Sequence, residues 1–493
     1  MINYRVDVGD CRTLMAALEP DSIDSIVTDP PYELGFMGRG WDSSGIAYQV
    51  DVWRAALRAL KPGGHLLAFG GSRTYHRVAV AIEDAGFHVR DSIHWTYGCG
   101  FPKSMNVSNA MDKQRHDRDQ VYKVTAWIAS ARDDAGLKNS DIDAHFGFRG
   151  MAGHWCSQKS QPIVPTLEQV PELLKVLGDP KVPEEISHLL VHLNGRKGQP
   201  GEAWLDREVT GHYDKSIHGQ WAQSKGLYRQ SAEGNEAREV PKTPEAIKWS
   251  GWGTALKASH EPIIVARKPF KGTVADTVRR YGTGAINIDA CRAGSLERWP
   301  ANSVFSHLPT CKLHVCDEGC AVKQLRQQTK ALGDGQVDQY FPSFYYYPKP
   351  TRDEKEAGLA HMAPQKRTDV TGRKEGSAGQ KHARAGVTAS GNIRNVHPTV
   401  KPIGLMGWLC RLVTQPGGTV LDPFNGSGTT GCGAVVEGFN YIGFDLSEQY
   451  AEISRSRIKY WAARPKGGLS PERANKLQPG EGTGAQLGLF NKE

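Results

Sequence analysis

The sequence predicts a mixed α/β fold, with a mostly parallel, doubly wound sheet of the Rossmann-like type. Strand-like and helix-like segments alternate over residues 1–110 and again over residues 397–463, as is typical of parallel sheets with right-handed crossovers. In both stretches an apolar strand runs directly into an acidic residue and a turn, at positions 29 and 422. The long segment between them lacks this alternation. We therefore expect one sheet made from both ends of the chain, with a largely helical insert.

Residues 1–110 are expected to form the first half of the core. The predicted strands are Tyr4–Val8, 23–27, 65–69 and 89–95. A helix is predicted over 52–60, because its apolar residues have helical spacing and Lys61-Pro62-Gly63-Gly64 follows as a stop signal. A second helix is predicted over 72–86, with Ser72 as its cap.

Residues 111–249 are expected to form the helical insert. Helices are predicted over 122–135, 141–146, 151–158 and 166–177. A glycine-containing turn separates the second from the third, so these helices resemble a helix-turn-helix, whose last helix would enter a major groove. A plain helical insert fits the same spacing, and both interpretations stay open. Residues 195–248 are polar without a clear period, and a loop or partly ordered structure is predicted there.

Residues 250–350 are expected to return to the core, through a strand over 263–266, and to carry a cluster of cysteines and histidines. Residues 351–396 are expected to form a flexible basic loop, because seven Lys and Arg stand against two Asp and Glu between positions 361 and 396. A solvated linker and an arm that contacts phosphates both fit this composition.

Residues 397–463 restore the alternation and are expected to complete the core. Helices are predicted over 405–413, 429–438 and 448–462, and strands over 419–421 and 441–444. Residues 464–493 are rich in Gly and Pro, and disorder is predicted for them.

The overall composition narrows the class of protein. The formal net charge is +8 and the pI is about 8.9, which favours an anionic partner. There is no apolar run of about 18 residues that would span a membrane, and the first residues lack the apolar core of a signal peptide. A cytoplasmic, nucleoid-associated location is therefore expected. Nine cysteines in such a protein are not expected to form a disulfide framework.

The first motif is Asp29-Pro30-Pro31-Tyr32, at the end of a predicted strand. Proline has no N–H group, so the turn presents acceptors: the Asp29 carboxylate and backbone carbonyls. Such a set suits a neutral amine that donates hydrogen bonds, and the Tyr32 ring is a surface on which a base can stack. A strand that merely ends in a proline-rich turn is the alternative for this motif alone.

The second motif runs from Asp422 to Thr429, and the next predicted strand ends at Asp445. Its glycines allow a ligand close to the backbone, and the following helix start can hold a carboxylate. An acid at the next strand end is suited to ribose hydroxyls. Because neither Gly-x-Gly-x-x-Gly nor a phosphate loop is present, a ligand with an amino-acid end and a nucleoside end is expected. The candidate residues are Asp422, Phe424, Asn425, Gly426, Ser427, Gly428, Thr429 and Asp445.

Together the two motifs resemble those of the amino DNA methyltransferases, which use S-adenosyl-L-methionine to modify adenine N6 or cytosine N4. The motif order resembles the circularly arranged β class, in which the segment between the motifs recognises the target. The segment His397-Pro398-Thr399-Val400-Lys401-Pro402 is similar to one that the family carries before its cofactor loop. The layout also resembles modification enzymes of phages and prophages.

The resemblance implies catalytic roles for Asp29, Pro30, Pro31 and Tyr32. Asp29 and the Pro30 carbonyl would accept hydrogen bonds from the exocyclic amine of a flipped base, and Tyr32 would stack on that base. Adenine N6 is the expected target, because the family's cytosine-N4 members more often carry Ser at the Asp29 position. Cytosine-N4 methylation is the alternative, and methylation of RNA or of protein glutamine, or an inactive DNA-binding protein, are more distant ones.

The resemblance also implies how the cofactor is held. Phe424, Gly426 and Gly428 would form the wall at the methionine end. Asp445 would bind the ribose, and Asp10, after the first strand, would lie near the adenine; a simple strand-end turn is the alternative for Asp10. The expected partner is double-stranded DNA, and the related enzymes make a homodimer possible.

A metal site is predicted separately. His307, Cys311, Cys316 and Cys320 lie within 14 residues, with His314 as an alternate ligand. Tetrahedral zinc takes four such ligands, so structural zinc is predicted. Reduced cysteines near the surface are the alternative.

Overall fold

The computed structural model describes most of the chain. The description leaves out residues 1, 36–39, 98–103, 115–116, 149, 160, 195–201, 206, 214–235, 294–297, 308–310, 312–315, 319, 332–340, 342, 346–351, 367–391 and 464–493. Most of the predicted basic loop and the whole predicted disordered tail therefore lie outside the described residues. In the described part of the chain, no helix has the length and apolar character needed to cross a membrane.

Eleven strands lie in the described residues, and nine of them form one sheet. In chain order they are β1 (Tyr4–Val8), β2 (Ile23–Thr28), β3 (Leu60–Phe69), β4 (His88–Tyr97), β5 (Val209–Tyr213), β6 (Glu236–Glu239), β7 (His260–Arg267), β8 (Ser303–His307), β9 (Ser343–Tyr345), β10 (Thr419–Asp422) and β11 (Asn440–Asp445).

The described helices, numbered in chain order, belong to two compact units. They are α1 (Cys11–Ala16), α2 (Val50–Ala59), α3 (Tyr75–Asp84), α4 (Val107–Asp112), α5 (Arg118–Asp134), α6 (Asn139–Phe146), α7 (Met151–Trp155), α8 (Val170–Val176), α9 (Glu184–Leu193), α10 (Glu202–Leu205), α11 (Pro244–Lys248), α12 (Val274–Tyr281), α13 (Ala321–Ala331), α14 (Arg352–Glu356), α15 (Ile403–Val413), α16 (Thr429–Glu437) and α17 (Glu448–Ala462).

The first unit contains the sheet, in the order β1-β11-β10-β2-β3-β7-β4-β8-β9. Only β7 runs antiparallel to its neighbours in this described sheet. Both ends of the chain contribute strands, and β10 lies directly beside β2. The predicted α/β class with a mostly parallel sheet is confirmed, and the strand predicted over 263–266 does return to the sheet.

Helices cover both faces of this sheet, as a doubly wound fold requires. Successive residues of a strand point to opposite faces, and the middle of β2 shows this clearly. Ile26 packs in one buried cluster with Trp53 of α2, whereas Val27 packs in another with Trp408 of α15. All six residues of β2 are buried, including the polar Asp24, Ser25 and Thr28, as expected for a strand that is covered on both faces.

Several predicted boundaries in the first unit need correction. The second predicted helix begins at Tyr75 instead of 72, and its N-cap residue is Thr74, not Ser72. The strand predicted over 65–69 begins at Leu60, because Lys61-Pro62-Gly63-Gly64 continue into it as extended chain. The helix before it accordingly ends at Ala59.

The second unit consists of the described residues within 103–256. Helices α5 to α9 bury a cluster of their own, which includes Ile128, Trp155 and Leu190. The third helix of the predicted helix-turn-helix ends at Trp155, short of residue 158. Helix α9 was missed. The described residues within 195–248, where a loop or partly ordered structure was predicted, contain the short helices α10 and α11 and the antiparallel strand pair β5–β6.

A buried ion pair holds this second unit together around Asp112. Arg207 donates from Nε to the Asp112 carboxylate at 2.6 Å, and both side chains are almost fully buried. The same carboxylate accepts the N–H groups of Lys242 and Thr243, at 2.8 and 3.1 Å, and the Thr243 hydroxyl at 2.7 Å. The Asp112 side chain thus ties α4 to Arg207, which follows α10, and to the residues just before α11.

We predict that Asp112→Ala destabilises this unit by about 3–5 kcal/mol, because it leaves the Arg207 charge buried without its partner. Native-state hydrogen exchange of α4 and α11 measures the opening free energy of this unit separately from the sheet. Lys175→Ala is the control, since its ion pair with Glu172 is exposed and such pairs contribute roughly 0–1 kcal/mol. Equal effects of the two substitutions would contradict the prediction.

Candidate functional site

A cavity of about 650 Å³ opens in the first unit, where β1, β2, β10 and β11 end. Carboxyl ends of parallel strands are the usual ligand sites of such sheets, and the volume lies in the range of small-molecule sites. Twelve of the thirteen catalytic and cofactor-binding residues predicted from the sequence line this one cavity. They are Asp10, Asp29, Pro30, Pro31, Tyr32, Asp422, Phe424, Asn425, Gly426, Ser427, Thr429 and Asp445.

The two motifs meet because β2 and β10 are parallel neighbours in register. Leu421 pairs with Ile26, so both strands end at the same level. The Thr28 hydroxyl donates to Asp422 Oδ1 at 2.6 Å, across 394 positions of sequence. This bond fixes the start of the Asp29 turn relative to the glycine-rich loop.

Asp29 lies in a cluster of charged side chains with Lys401 and Glu261. Lys401 Nζ donates to Asp29 Oδ2 at 2.6 Å and lies 3.4 Å from Glu261 Oε2. The Lys401 side chain is only 11% exposed, and Asp29 only 20%. The other oxygen, Asp29 Oδ1, is buried and has no hydrogen-bond partner among the described residues. One strong acceptor is therefore held in the cavity wall with its hydrogen-bonding capacity unused.

Tyr32 is held by its hydroxyl on the same cluster. The Tyr32 hydroxyl donates to Glu261 Oε2 at 2.7 Å and accepts a hydrogen bond from Lys401 Nζ at 3.2 Å. Tyr97 donates to the other Glu261 oxygen, Oε1, at 3.3 Å. With its hydroxyl anchored in this way, the Tyr32 ring has a fixed position in the cavity wall.

Burial and charge act in opposite directions in this cluster. Burial raises the pKa of Asp29, and the positive charge of Lys401 limits that rise. For Lys401, burial alone would lower the pKa, but the carboxylates of Asp29 and Glu261 outweigh it, so the pKa is raised. Lys401 therefore stays protonated at neutral pH and favours the ionised form of Asp29.

The glycine-rich loop is shaped by Asp422, which accepts three hydrogen bonds. Besides the Thr28 hydroxyl, these come from Phe424 N at 3.0 Å and the Thr430 hydroxyl at 2.6 Å. Burial is the largest influence on Asp422, and it raises the pKa to about 6 in spite of the three donors.

Gly426 has a positive φ of 51° and faces the cavity, where a Cβ atom would come within 2.8 Å of His397 Nε2. Gly428, also at positive φ, does not line the cavity. A Cβ there would lie 2.2 Å from Ser454 Oγ, so this glycine allows α16 to begin close against α17.

Buried polar groups hold the loop from behind. Asn425 turns its side chain inward, where Oδ1 accepts the hydroxyls of Tyr441 at 2.8 Å and Ser454 at 3.0 Å. Arg457, which is fully buried, donates to the Ser427 carbonyl at 2.5 Å and to the Ser427 hydroxyl at 3.1 Å. The loop therefore has a defined shape, and its backbone forms the cavity wall.

Asp10 and Asp445 lie at the β1 and β11 side of the cavity. The Asp445 oxygens each accept one backbone N–H, from Gly426 and Ser447, both at 2.8 Å, which leaves further lone pairs for a ligand. Asp10 caps α1 and pairs with Arg12, whose hydrogen bonds lower the pKa of Asp10 to about 2 in spite of some burial. Together with the first turn of α16, these acids give the cavity polar groups at both ends.

Four contributors were not selected from the sequence: Lys401, Glu261, His397 and Arg457. Lys401 and Glu261 each directly precede a proline that is followed by a long apolar run. A charged residue at that place in the sequence was the feature that could have identified them as site residues. His397 lies in the cavity wall between Trp41 and Tyr450, with ring centroids 6.4 and 4.8 Å away. Burial lowers the pKa of His397 to about 4, so its ring is neutral at physiological pH.

The predicted metal ligands lie outside this cavity. His307, Cys311, Cys316 and Cys320 come together beyond the end of β8, with all four ligand atoms within 4.8 Å of one another. His314 lies outside the described residues.

The chain matches the model of a known protein family over most of its length. A family model described as DNA methylase, covering N6 and N4 methyltransferases, matches residues 23–138 and 221–456, which is more than half of the chain. The type II methyltransferase M2.MboI of Moraxella bovis is 44% identical over 61 residues. That match spans 12% of this chain and only 22% of the relative.

Two solved structures resemble the chain at low sequence identity. The PvuII DNA methyltransferase, described as cytosine-N4-specific, is 12% identical with a TM-score of 0.36, and the alignment covers 96% of this chain and 90% of that one. The complex of M1.HpyAVI with SAM is 12% identical with a TM-score of 0.33, covering 92% of this chain and 98% of that one.

We predict that Asp422 makes the free energy of unfolding depend on pH. A buried carboxyl whose folded-state pKa rises from 3.8 to about 6 favours the folded chain below pH 4, and this contribution is lost as the pH rises through 6. The loss is about 3 kcal/mol at most, at 1.36 kcal/mol per pKa unit. Urea unfolding of the wild type and of Asp422→Asn from pH 4 to 7.5 measures it, because the amide does not titrate. A difference between the two proteins that stays constant with pH would exclude this role.

Proposed function

The chain belongs to the N6/N4 DNA methylase family, and we propose that it transfers a methyl group from S-adenosyl-L-methionine to N6 of adenine in duplex DNA. S-adenosyl-L-methionine is the cofactor of this family, in agreement with the prediction from the sequence. The observation that carries the proposal is the free Asp29 Oδ1 atom, buried in the wall of a cavity that also contains the glycine-rich loop.

Asp29 supplies what a poor amine nucleophile needs. The lone pair of an adenine N6 atom is delocalised into the ring, so acceptors on its two protons favour a pyramidal nitrogen with a localised lone pair. Asp29 Oδ1 would accept one N–H, and the Pro30 carbonyl is the proposed acceptor for the other. Because Pro30 and Pro31 have no N–H groups, the turn offers no donor that would compete for the lone pair.

Lys401 is proposed as a positioning residue that acts through Asp29. Its ammonium group occupies Asp29 Oδ2, so that Oδ1 is the oxygen left without a hydrogen-bond partner. Its charge also favours the ionised carboxylate, the better hydrogen-bond acceptor. Glu261 holds the ammonium group and the Tyr32 hydroxyl together, so the base-stacking surface and the acceptor would keep a fixed separation.

The cofactor residues fit a ligand with two different ends. The first turn of α16 has N–H groups without intrahelical partners and would bind the methionine carboxylate. Asp445 would accept ribose hydroxyls, and Asp10 would lie near the adenine. The Gly426 backbone would pass close to the ligand, since no side chain intervenes.

The transfer itself is a displacement in which the bound cofactor supplies a methyl group from a sulfonium centre. A bond forms between carbon and N6 while the sulfur–carbon bond breaks; the sulfur becomes neutral, and the nitrogen then releases one proton to Asp29 or to water. Much of the acceleration would come from alignment of the two reactants, an effect of up to about 7–11 kcal/mol in model systems. Because a duplex encloses N6, the base must be flipped out at a cost of a few kcal/mol.

Duplex DNA is the proposed partner. The net charge of +8 suits a phosphate backbone, and the second unit, with its helical core, is proposed as the target-recognition region. Cytosine-N4 methylation is the alternative, because the family includes both activities and both amines present the same chemical problem.

The full chain, incubated with DNA from a methylation-free host and S-adenosyl-L-methionine, is expected to produce N6-methyldeoxyadenosine, detected by mass spectrometry of digested nucleosides. Asp29→Ala should lower the rate by about 10²–10⁴-fold, the usual contribution of a group that handles a proton in the reaction. Asp51→Ala, an exposed acid on α2, is the control and should retain full activity. N4-methyldeoxycytidine as the product would favour the alternative, and an active Asp29→Ala protein would overturn the assigned role.

Replacing Lys401 by Met should move the acidic limb of the pH–rate profile to higher pH. Without the ammonium group, burial and the charge of Glu261 both raise the pKa of Asp29, so a higher pH is needed to ionise it. The measurement is kcat against pH for the wild type, Lys401→Met and Lys401→Arg, where Arg restores the charge and should move the limb back. Lys271→Met, an exposed lysine, is the control. A loss of rate without any shift of the limb would indicate a merely structural lysine.

A further inference from the structure

We propose that His307, Cys311, Cys316 and Cys320 bind one structural zinc ion at the edge of the sheet. Each residue offers one ligand atom, and the four atoms all lie within 4.8 Å of one another. Cys311, Cys320 and His307 are buried, and Cys316 is half-buried. This site lies outside the cavity of the proposed methyl transfer, and it is independent of that proposal.

The distances suit a tetrahedral ion. Zinc binds sulfur at about 2.3 Å and imidazole nitrogen at about 2.0–2.1 Å, and a tetrahedral angle then places the nitrogen and a sulfur roughly 3.6 Å apart. His307 Nδ1 lies 3.3 Å from Cys316 Sγ and 3.6 Å from Cys320 Sγ. The Nδ1 atom is therefore the ligand atom that faces the thiols.

The donor set selects zinc and a structural role. Thiolates together with imidazole are the ligands of zinc sites, whereas Mg²⁺ and Ca²⁺ prefer oxygen. None of the three cysteines is part of a disulfide. With four protein ligands the site is closed, and a closed zinc site has no position for a substrate.

The surrounding chain supports the ligands by a hydrogen bond and by packing. The backbone N–H of Asp317 points to Cys311 Sγ at 3.4 Å, as a supporting hydrogen bond to a thiolate ligand does. Among the described residues, Val322 is buried beside Cys311 and Cys320, and Phe305 packs against them.

The site lies where a bound ion would hold two neighbouring strands together. His307 is the last residue of β8, and the preceding Ser306 accepts the Trp95 Nε1–H of β4 at 2.7 Å. The next residue but one on β4 is Tyr97, which donates to Glu261 of the charged cluster. A zinc ion would fix the end of β8 against β4, the strand that supports Glu261.

The test is the metal content of the full-length chain, purified from zinc-supplemented medium and measured by mass spectrometry. We expect one zinc ion per chain in the wild type, and its loss in Cys320→Ser and His307→Ala. Cys156→Ser and His314→Ala are the matched controls and should retain the ion; Cys156 lies in the second unit. Chelation of the wild type should also lower its melting temperature, which does not depend on an activity assay.

A folded wild-type chain that unfolds cooperatively and contains far less than one zinc ion would overturn the proposal. So would full zinc content in Cys320→Ser or His307→Ala. If Cys320→Ser does not fold, Cys316→Ser replaces it, because that side chain is half-buried and its loss removes a ligand with less disturbance of the core. Loss of zinc in His314→Ala with retention in His307→Ala would reassign the fourth ligand and overturn the set named here.

Discussion

The parallel pairing of β2 with β10 is the constraint on which the rest of the site depends. These strands come from opposite ends of the sequence, and polar bonds fix them at both ends. At the amino end the buried Asp24 carboxylate accepts Thr419 N at 2.8 Å and Lys61 Nζ at 2.6 Å. At the carboxyl end Thr28 donates to Asp422 at 2.6 Å. A slip by one residue would turn every side chain of a strand to the other face, and would separate Asp29 from the glycine-rich loop.

With the register set in this way, the two motifs present different groups to the cavity: one presents backbone and the other a side chain. The glycine-rich loop presents backbone to the cavity, and its own side chains point inward to Tyr441, Ser454 and Arg457. The Asp29 turn does the opposite, since it presents a carboxylate and removes backbone donors through two prolines. One wall can therefore follow the outline of a ligand closely, while the other acts on a reacting group.

The alternation of strands and helices made the sheet and its strand-end acids predictable, because both are local features of sequence. The charged cluster was not predictable in the same way. Asp29 follows β2, Glu261 lies on β7, which enters the sheet between β3 and β4, and Lys401 precedes α15. Contacts between such distant segments leave no spacing to recognise in the sequence. Helix α9 is a different case: Ile186, Leu190 and Leu193 are buried at helical spacing, so the pattern was present and was overlooked.

The charged cluster also explains why the core around it must be large. Burying a lysine between two carboxylates costs solvation that the ion pairs repay only in part, and apolar side chains of the same size are often the more stable choice. Here the charges are kept beside two extensive apolar clusters, one on each face of the sheet. Those apolar clusters stabilise the folded chain. The fixed charges form an environment that is arranged before any ligand binds, so an acceptor needs no reorganisation at the moment of reaction. A less stable but preorganised wall is the expected compromise in a site where function and stability compete.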